Sequence, residues 1–444
     1  MPALQSTAAP LSIAIVGMGT VGTGVAKVLL QQPERITRRA GRPIVLKHAV
    51  VSDLRKSREI DLPPGVLTDD LQRVIQDRET RLAIHLVGGL QAAREIMLAL
   101  LESGKDVVTA NKALLCEHGP ELFAKAHELG RSIAFEAAVA GGIPIIATLS
   151  QSMAGNQITS ISGILNGTTN FILSQMIQRQ QAYADALRLA QELGYAEADP
   201  TLDVDGTDAA QKLVILTQLA YGTKVSLTDF PRQGIDTLDL SDIRYAAELG
   251  YTVKLLAISK LIEGQLEMHV CPTLVKHQTP LAEVHGSFNA VALSGDVVGD
   301  TWYSGRGAGQ MPTASAVLAD LIDMAVGRAQ LTFQQLELWR TEPSFPMLPK
   351  SQTSSRYYLR FNIEDRPHML ADIADVLGRH QISIASVIQH EAPDPAHDAV
   401  GGKSYVPLVI MTHRTTAGNL EAAAQEFAKF PSLRAPLVQL PVAN

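Results

Sequence analysis

The chain has 444 residues, of which 46% are hydrophobic and 19% charged, and this predicts a globular protein of two or three domains. A net charge of −7 and a pI near 6.0 argue against a nucleic-acid-coating surface, and the two cysteines are too few for a disulfide framework or a thiolate metal cage. The N-terminus lacks a signal-peptide pattern and no stretch has roughly 20 uninterrupted apolar residues, so we expect a cytoplasmic protein without a membrane partner.

The first part of the chain alternates short apolar runs with amphipathic helical runs. Strands are predicted for LSIAIVG, IVLKHAVVSD, RLAIHLVGG, DVVTANK and SIAFEAAV. Strands that alternate with helices in this way are typical of βαβ units around a parallel sheet. We therefore expect an α/β protein with an N-terminal Rossmann-like domain over residues 1–143.

The pattern of predicted helices and strands changes after residue 143. Longer helical patterns and β-like segments around YTVKLLAISKLIE and QLEMHVCPTLV predict a central α+β domain over residues 144–342. Residues 343–355 contain three prolines and a Ser/Thr/Gln run, a composition that suits a linker. Residues 356–444 follow the order βαββαβ, which predicts a ferredoxin-like domain.

A glycine motif follows the first strand. GMGTVG places Gly17, Gly19 and Gly22 in G-x-G-x-x-G spacing immediately before a helix. The first glycine permits a tight turn, the second lets the backbone approach a pyrophosphate, and the third allows close helix–sheet packing. The motif predicts dinucleotide binding, and a structural glycine turn is the alternative.

The second strand ends in a turn with both acidic and basic residues. Asp53 could bind the ribose 2′-hydroxyl of NAD, whereas Arg55, Lys56 and Arg58 could accept the 2′-phosphate of NADP. The basic residues favour NADP, use of both cofactors is compatible with the turn, and a solvated basic turn is the alternative.

Five carboxylates precede an apolar helix in GYAEADPTLDVDGTDAAQK. The run resembles an EF-hand loop, but Thr201 and Lys212 occupy the first and twelfth positions, where calcium needs carboxylates. Asp208 and Lys212 are four residues apart and so share one helix face. They could form a functional site, or they could be a helix acid beside a surface lysine.

Lys112 of TANK follows a strand, where it could face a ligand or be an exposed cap. The other acids are interpreted as loop and N-cap residues: Asp199, Asp203 and Asp205.

Taken together, five motifs resemble those of homoserine dehydrogenases, in order along essentially the whole chain. They are TANK, EAAVAGGIP, ILNGTTNFIL, GYAEADPTLDVDGTDAAQK and GRGAGQMPTASAVLAD. The resemblance implies reversible NAD(P)H-dependent reduction of L-aspartate 4-semialdehyde to L-homoserine, in threonine, methionine and isoleucine biosynthesis. It also implies a Rossmann domain completed by residues near 305–330, a central substrate-binding and dimerisation domain, and a C-terminal ACT domain that senses L-threonine. A homodimer or homotetramer is expected.

The resemblance assigns roles to individual residues. Lys212 would donate a proton to the carbonyl oxygen as hydride arrives, Asp208 would help to hold the substrate, and Lys112 would be a second cation at the cofactor–substrate junction. Gly194 and Glu197 would bind the substrate, with Glu197 accepting its ammonium. The implied cofactor-binding residues are Gly17, Gly19, Thr20, Val21, Gly22, Arg55, Lys56, Gly88, Ala110, Lys112, Gly307 and Gly309.

Two further sites follow from the resemblance. A monovalent cation, Na⁺ or K⁺, would be held by Glu136 and by the backbone carbonyls of Val139, Gly141 and Ile143. The ACT turn commonly carries glycine where this chain has His368, and an insert, APDPAHDAVGGKS, separates the middle strands of the ACT domain. Both departures bear on effector binding.

Two other functions are compatible with parts of the sequence. A semialdehyde dehydrogenase that forms a thioester would need a cysteine nucleophile, for which Cys116 is the only suitable candidate, although a buried structural thiol is the alternative. A non-catalytic sensor could combine a dinucleotide-binding domain with an ACT-like domain, but such a protein would not require Lys212.

Overall fold

The computed structural model describes residues 8–340, 342, 345–390 and 404–443. The chain separates into two compact units. One contains Met1–Gly167, Asp208–Asp229 and Ser287–Phe345, and the other contains Thr168–Thr207, Phe230–Gly286 and Pro346–Asn444. In the described part of the chain, no helix has both the length and the apolar character needed to cross a membrane.

The elements are numbered in chain order. The strands are β1 Leu11–Val16, β2 Ile44–Val50, β3 Leu67–Thr68, β4 Thr80–His85, β5 Asp106–Thr109, β6 Ile133–Ala134, β7 Ile158–Ile164, β8 Tyr251–Ile262, β9 Gln265–Lys276, β10 Phe288–Gly295, β11 Gly299–Arg306, β12 Ser354–Ser355, β13 Tyr357–Glu364, β14 Ile384–Ile388, β15 Tyr405–Thr412, β16 Thr415–Thr416 and β17 Leu433–Pro441. The helices are α1 Thr20–Gln31, α2 Pro33–Ala40, α3 Gln72–Gln76, α4 Gln91–Glu102, α5 Lys112–Glu128, α6 Ile145–Ala147, α7 Gly167–Arg179, α8 Tyr183–Glu192, α9 Thr201–Val204, α10 Thr207–Tyr221, α11 Leu240–Glu248, α12 Gln310–Ala325, α13 Arg328–Leu336, α14 Met369–Arg379 and α15 Ala417–Phe427.

The first unit contains a parallel sheet of six strands in the order β3-β2-β1-β4-β5-β6. Its central strands are buried because they present continuous Val, Ile and Ala to helices on both faces. The strand order reverses between β1 and β4, and ligands bind at such switch points, outside the carboxyl ends of the strands. The predicted Rossmann-like sheet is confirmed.

Helix α12 belongs to the same apolar core as β1 and α1. The two helices approach closely at Gly24, where a β-carbon would lie 2.8 Å from Cγ of Gln310 and 3.2 Å from Cβ of Ala314. A chain segment far from the N-terminus in sequence therefore helps to cover the parallel sheet.

The first unit also contains an antiparallel set that the sequence patterns did not predict. Strand β10 pairs with β11 on one side and with β7 on the other. Strand β11 has no buried residue in its eight positions, so it lacks the apolar alternation by which a strand is recognised.

The second unit contains a long hairpin, β8–β9, in register from Tyr251 opposite Lys276 to Ile262 opposite Gln265. Its tight turn is formed by Glu263 and Gly264, which both have positive φ, as a two-residue hairpin turn of type I′ requires. The two predicted β-like segments are thus the two arms of one hairpin.

The C-terminal part of the second unit has the predicted βαββαβ order. Its four-stranded antiparallel sheet has the order β14-β15-β13-β17 and packs on α14 and α15 through one apolar core. The predicted ferredoxin-like fold is confirmed. Of the insert APDPAHDAVGGKS, all but Ser404 lies outside the described residues.

Two short segments differ from the predicted secondary structure. The predicted strand DVVTANK ends at Thr109, and Lys112 instead begins α5, because Asn111 caps that helix by accepting a hydrogen bond from the amide of Leu114. In SIAFEAAV only Ile133–Ala134, strand β6, pairs with the sheet, and Glu136–Ala138 forms a 3₁₀ turn. Both departures occur where the sheet ends and the functional loops begin.

A buried ion pair lies inside the second unit. Arg360 of β13 donates two hydrogen bonds to Asp242 of α11, through Nε at 2.6 Å and Nη2 at 2.9 Å. The hydroxyl of Tyr358 donates a third, at 3.0 Å, to the same carboxylate. Asp242 and Tyr358 are fully buried, so the ACT-like sheet is joined to α11 by a desolvated and fully bonded carboxylate.

Candidate active site

The glycine motif forms the turn between β1 and α1. Gly17 has φ +104°, and a β-carbon there would lie 2.6 Å from the carbonyl oxygen of Leu86. A β-carbon on Gly22 would lie 2.2 Å from the carbonyl oxygen of Gly17, whereas Gly19 has open space around it. Gly17 and Gly22 are therefore required by the fold, and Gly19 leaves room for a ligand at the helix N-terminus.

The first turn of α1 presents backbone donors. Thr20 is exposed and Val21 is half-buried, and the first four amides of any α-helix have no carbonyl partner within the helix. Together with the helix dipole, these amides form a ready anion site next to Gly19.

Two more loops border the same edge of the sheet. Asn111 donates hydrogen bonds to the carbonyls of Val87, at 3.0 Å, and Gly89, at 2.7 Å, and so ties the loop that contains Gly88 to the loop that contains Ala110. Gly88 is exposed and Ala110 is half-buried, so neither residue is closed off from solvent.

The basic turn after β2 divides into two parts. The side chains of Arg55 and Lys56 are exposed. Arg58 instead donates hydrogen bonds to the carbonyls of Lys56, at 2.7 Å, and Asp53, at 2.8 Å, and the Asp53 carboxylate accepts one from the amide of Arg55. Arg58 and Asp53 therefore brace the turn, which leaves Arg55 and Lys56 as the candidates for a phosphate contact.

The acid and lysines of interest converge in the first unit. Lys212 donates hydrogen bonds to Oδ2 of Asp208, at 2.7 Å, and to the carbonyl of Leu165, at 2.6 Å. Nζ of Lys112 lies 2.7 Å from Oδ1 of the same aspartate. Asn166 donates to Oδ2 at 2.8 Å. The three predicted residues are thus brought together at the N-termini of α5 and α10.

Burial strengthens the attraction between Asp208 and the two lysines, because little solvent screens their charges. The side chains of Asp208 and Lys212 are 8% and 10% exposed, whereas that of Lys112 is 38% exposed. Burial alone would raise the pKa of Asp208, but the charges of Lys212 and Lys112 outweigh it and hold that pKa well below its ordinary value. The carboxylate stays ionised, and the two ammonium groups give the cluster a net positive charge.

The remaining predicted substrate residues, Gly194 and Glu197, belong to the second unit. Gly194 has φ +74°, so its turn favours glycine. The neighbouring Tyr195 carbonyl accepts a 2.7 Å hydrogen bond from Oγ1 of Thr168, and the side chain of Glu197 is exposed. Asp199 and Asp205 accept hydrogen bonds from the amides of Thr201 and Thr207, as expected of loop residues, whereas Asp203 lies within α9 and is neither a loop nor an N-cap residue.

The loop between β11 and α12 packs against the EAAVAGGIP segment. A β-carbon on Gly307 would lie 2.1 Å from the side chain of Asn289. The amide of Gly142 donates a 2.9 Å hydrogen bond to the carbonyl oxygen of Arg306, and a β-carbon on Gly142 would lie 2.5 Å from that same oxygen. Gly309 has φ +114°. These contacts need glycine, and they position the two loops against each other.

The carboxylate of Glu136 is engaged by backbone amides. It accepts hydrogen bonds from Ile146, at 2.9 Å, and Ala147, at 2.8 Å, in the first turn after EAAVAGGIP. Burial raises the pKa of Glu136, and these amides oppose that shift. Of the predicted cation ligands, the Ile143 carbonyl also accepts a hydrogen bond from the amide of Ile145. The segment remains rich in oxygen donors, as a hard cation prefers.

Comparison with known proteins gives matches along the chain. Residues 17–136 match the homoserine dehydrogenase NAD binding domain, 144–322 match homoserine dehydrogenase, and 357–432 match the ACT domain. The homoserine dehydrogenase of Pseudomonas aeruginosa is 40% identical, over 98% of this chain and 99% of that protein. The chain belongs to the homoserine dehydrogenase family.

The fold of this chain is similar to the solved structures of other homoserine dehydrogenases. A crystal structure from Thiobacillus denitrificans is 40% identical with a TM-score of 0.89, and the match covers 98% of this chain and 99% of that one. A mutant of a hyperthermophilic archaeal homoserine dehydrogenase, in complex with NADPH, is 26% identical with a TM-score of 0.60, over 73% of this chain and 98% of that one. The chain is an NAD(P)-dependent oxidoreductase with a nicotinamide cofactor.

Cys116, the candidate nucleophile for thioester chemistry, lacks the properties of a reactive cysteine. Burial raises the pKa of Cys116 to about 12, so its thiol stays protonated at neutral pH and is a poor nucleophile. Cys116 also lies inside α5, which begins at Lys112, and so it is not at the first position of the helix.

Several residues of the site were not singled out from the sequence. Asn166 stands in the ILNGTTNFIL motif and Asn111 in the TANK motif, which offered a signal, but His85 had none beyond its position at a strand end. His85 is fully buried, and its Nδ1 lies 3.2 Å from Oγ1 of Thr109, which also accepts the amide of Asn111. Burial lowers the pKa of His85 to about 4, so it is a neutral support for the TANK loop.

Proposed function

We propose that the Lys112–Asp208–Lys212 cluster is where this chain reduces L-aspartate 4-semialdehyde to L-homoserine. The observation that carries the proposal is the buried, ionised Asp208 with both lysines bonded to it. Hydride delivery to a carbonyl carbon, the chemistry that a bound nicotinamide supplies, places negative charge on the carbonyl oxygen. A fixed ammonium stabilises that charge and can donate the proton that completes the alcohol.

The three charged residues have different parts in this proposal. Lys212 is held by Asp208 and by the Leu165 carbonyl, so its ammonium is fixed before the substrate arrives and needs no reorganisation. Lys112 is more exposed and starts the helix that follows the TANK loop, which suits a cation at the cofactor–substrate junction. Asp208 orients both lysines and holds the hydroxyl end of the substrate.

The substrate's amino-acid end is proposed to bind residues of the GYAEAD segment. Glu197 is an exposed carboxylate and would accept the ammonium, and the αL turn at Gly194 presents the neighbouring backbone. The family resemblance supports these two assignments.

NADP is the proposed preferred cofactor. The exposed Arg55 and Lys56 support it, as does the NADPH complex of the archaeal relative. Neutralising both residues, as Arg55→Ala with Lys56→Ala, is expected to raise the KM for NADP about tenfold or more and leave the KM for NAD nearly unchanged, because one charged hydrogen bond contributes about 1.5–3 kcal/mol. Steady-state kinetics with both cofactors measures this.

Arg58→Ala is the matched control for that measurement. It removes one positive charge from the same turn, against two in the double variant, and it breaks the bonds to the carbonyls of Asp53 and Lys56, so it should affect both cofactors alike. Equal losses for NADP and NAD in the Arg55/Lys56 variant would show that these two residues do not contact the 2′-phosphate.

A monovalent cation, Na⁺ or K⁺, is proposed at the EAAVAGGIP segment. The carbonyls of Val139, Gly141 and Ile143 would hold it, with Glu136 as the nearby negative charge. Its proposed part is to fix the loop that packs on the Gly307 loop, which faces the nicotinamide.

The ACT domain is proposed to make the enzyme sensitive to L-threonine. Residues 1–143 with about 305–330, 144–342 and 356–444 are the proposed domains, joined by a linker over 343–355. We further propose a cytoplasmic homodimer or homotetramer, since the family's central domain provides a dimer interface.

A chain that ends at Pro349 is expected to remain active and to lose inhibition by L-threonine. The truncation removes β12 to β17 and both ACT helices but leaves the Lys112–Asp208–Lys212 cluster intact. Initial rates with increasing L-threonine, on the truncated and full chains in parallel, measure the effect. Undiminished inhibition of the truncated enzyme would place the effector site outside the ACT domain.

The catalytic proposal is tested by reduction of NADP⁺ or NAD⁺ with L-homoserine as the only other substrate. Homoserine-dependent formation of NADPH or NADH is expected. Cofactor reduction that instead needs aspartate semialdehyde and inorganic phosphate would indicate an aldehyde-oxidising enzyme. Binding of cofactor without turnover would indicate a sensor.

A further inference from the structure

A buried lysine that has no part in the proposed chemistry lies in the second unit. Lys254 of β8 is fully buried, and its Nζ donates hydrogen bonds to the carbonyl oxygen of Val284, at 2.5 Å, and to Oδ1 of Asn170, at 3.3 Å. Burial lowers the pKa of Lys254 to about 8, with the charge of Glu283 opposing that shift, so the ammonium is protonated at pH 7. Both hydrogen-bond acceptors are neutral, and burying a cation in this way costs more free energy than burying an apolar side chain of similar length. Packing alone therefore does not explain a lysine at this position.

The ammonium of this lysine joins a helix to a loop. Asn170 belongs to α7, and its Nδ2 donates hydrogen bonds to the carbonyls of Val284, at 3.2 Å, and Gly286, at 2.9 Å. Ser174, one turn later in α7, donates to the carbonyl of Asn170, at 2.7 Å, and accepts from the amide of Gly286, at 2.9 Å. Lys254 bonds one acceptor on the helix and one on the loop, so it holds the two segments in a single arrangement.

Both segments continue into residues of the first unit. Asn166 directly precedes α7 and donates the 2.8 Å hydrogen bond to Oδ2 of Asp208. The loop continues to Ser287, whose carbonyl oxygen would lie 2.7 Å from a β-carbon on Gly167. The helix and the loop thus remain in close contact where the chain reaches Asn166. Because a helix turn is rigid, a displacement at Asn170 would also displace Asn166.

We propose that Lys254 is a positioning residue for the reduction of the semialdehyde, because it fixes the start of α7 against the loop and so keeps Asn166 on the Asp208 carboxylate. Oδ2 of Asp208 accepts hydrogen bonds from both Asn166 and Lys212. Loss of the asparagine bond would let the carboxylate rotate and move the lysine ammonium with it. The inference rests on the proposed role of the Lys112–Asp208–Lys212 cluster and gives that cluster a support that is remote from it in the sequence.

Lys254→Met is expected to lower kcat for L-homoserine oxidation about 10–100-fold, because small displacements of reacting groups reduce rates by factors of that order. Methionine has nearly the length of lysine and removes the charge together with its hydrogen bonds. The KM for NADP should stay unchanged, since the glycine turn and the basic turn proposed to bind it lie in other parts of the chain. Lys276→Met, at the exposed end of β9, is the matched control and should behave like wild type.

A double-variant cycle tests the route from Lys254 to the site. Asn166→Ala removes the bond to Asp208 directly and is expected to lower kcat to a similar extent. Combining it with Lys254→Met should add no more than about a twofold further loss, because the lysine acts through the asparagine. Losses that multiply would overturn the proposal, as would a Lys254→Met enzyme that keeps more than about half of the wild-type kcat.

Ser174→Ala provides a second test that leaves the buried charge in place. It removes the bond from α7 to the Gly286 amide, and a several-fold loss of kcat is expected, again without further loss in combination with Asn166→Ala. Circular dichroism and urea unfolding establish that the compared proteins are folded. If Lys254→Met does not fold, a folded Ser174→Ala enzyme with the wild-type kcat would overturn the proposal. A Lys212→Ala enzyme that keeps its activity would contradict the cluster itself, whereas the expected loss in Lys212→Ala with none in Lys254→Met would reject only the positioning role.

Discussion

Replacing Lys212 with alanine is expected to lower kcat by about 10²–10³, with folding and NADP(H) binding nearly intact. Lys212 is bonded to Asp208 and to the Leu165 carbonyl, and neither of these partners belongs to the glycine turn at which the cofactor's pyrophosphate is proposed to bind. In the proposed chemistry, the lost group acts on the oxygen that gains charge during hydride transfer. Steady-state kinetics in the oxidation of L-homoserine measures the loss.

Two companion variants separate the parts of this effect. Lys212→Arg keeps a positive charge but cannot readily release a proton, since the arginine pKa is above 12, so it should restore only part of the rate. Lys224→Ala removes an exposed lysine just after the same helix and should behave like wild type. A Lys212→Ala enzyme that keeps more than about a third of the wild-type kcat would refute the role given to Lys212.

Replacing Arg360 with methionine is expected to destabilise the second unit by about 3–5 kcal/mol. The change leaves the fully buried Asp242 carboxylate with the Tyr358 hydroxyl but without its cationic partner. Equilibrium unfolding in urea, followed by circular dichroism, measures the difference in free energy between variant and wild type.

The controls use a second ion pair and a double variant. Arg379→Met breaks an exposed pair with Asp375 and Glu426 in the same domain, and little change in stability is expected. Combining Arg360→Met with Asp242→Leu should recover most of the loss, because no uncompensated charge then remains buried. An Arg360→Met chain as stable as wild type would mean that the pair does not hold the ACT domain to α11.

The parts of the fold that depend on local rules were predictable. The apolar spacing of Ala93, Met97 and Leu101 predicts α4, and the glycine motif predicts the turn after β1, where the structure shows why Gly17 and Gly22 cannot carry a β-carbon. Strands β7, β10 and β11 were not recognised. Strand β7 pairs with β10, which is remote in sequence, and β11, although it follows β10 directly, has no apolar stripe.

The candidate site was predictable to a similar extent. The i, i+4 spacing placed Asp208 and Lys212 on one helix face, but nothing local relates either residue to Lys112, which is remote in the sequence. Their meeting came from the family resemblance and is visible only in the folded chain. Asn166 lies in a recognised motif, but its hydrogen bond to the same carboxylate is likewise visible only in the folded chain.

The most direct test of the catalytic claim is a crystal structure of the enzyme with L-homoserine and an unreactive NADP analogue. The distance from Nζ of Lys212 to the homoserine hydroxyl oxygen is the deciding measurement. The proposed chemistry predicts a direct hydrogen bond of about 2.6–3.2 Å, on the side of the substrate that faces Asp208. A homoserine hydroxyl bonded to another side chain, with Lys212 contacting only Asp208 and the Leu165 carbonyl, would contradict it.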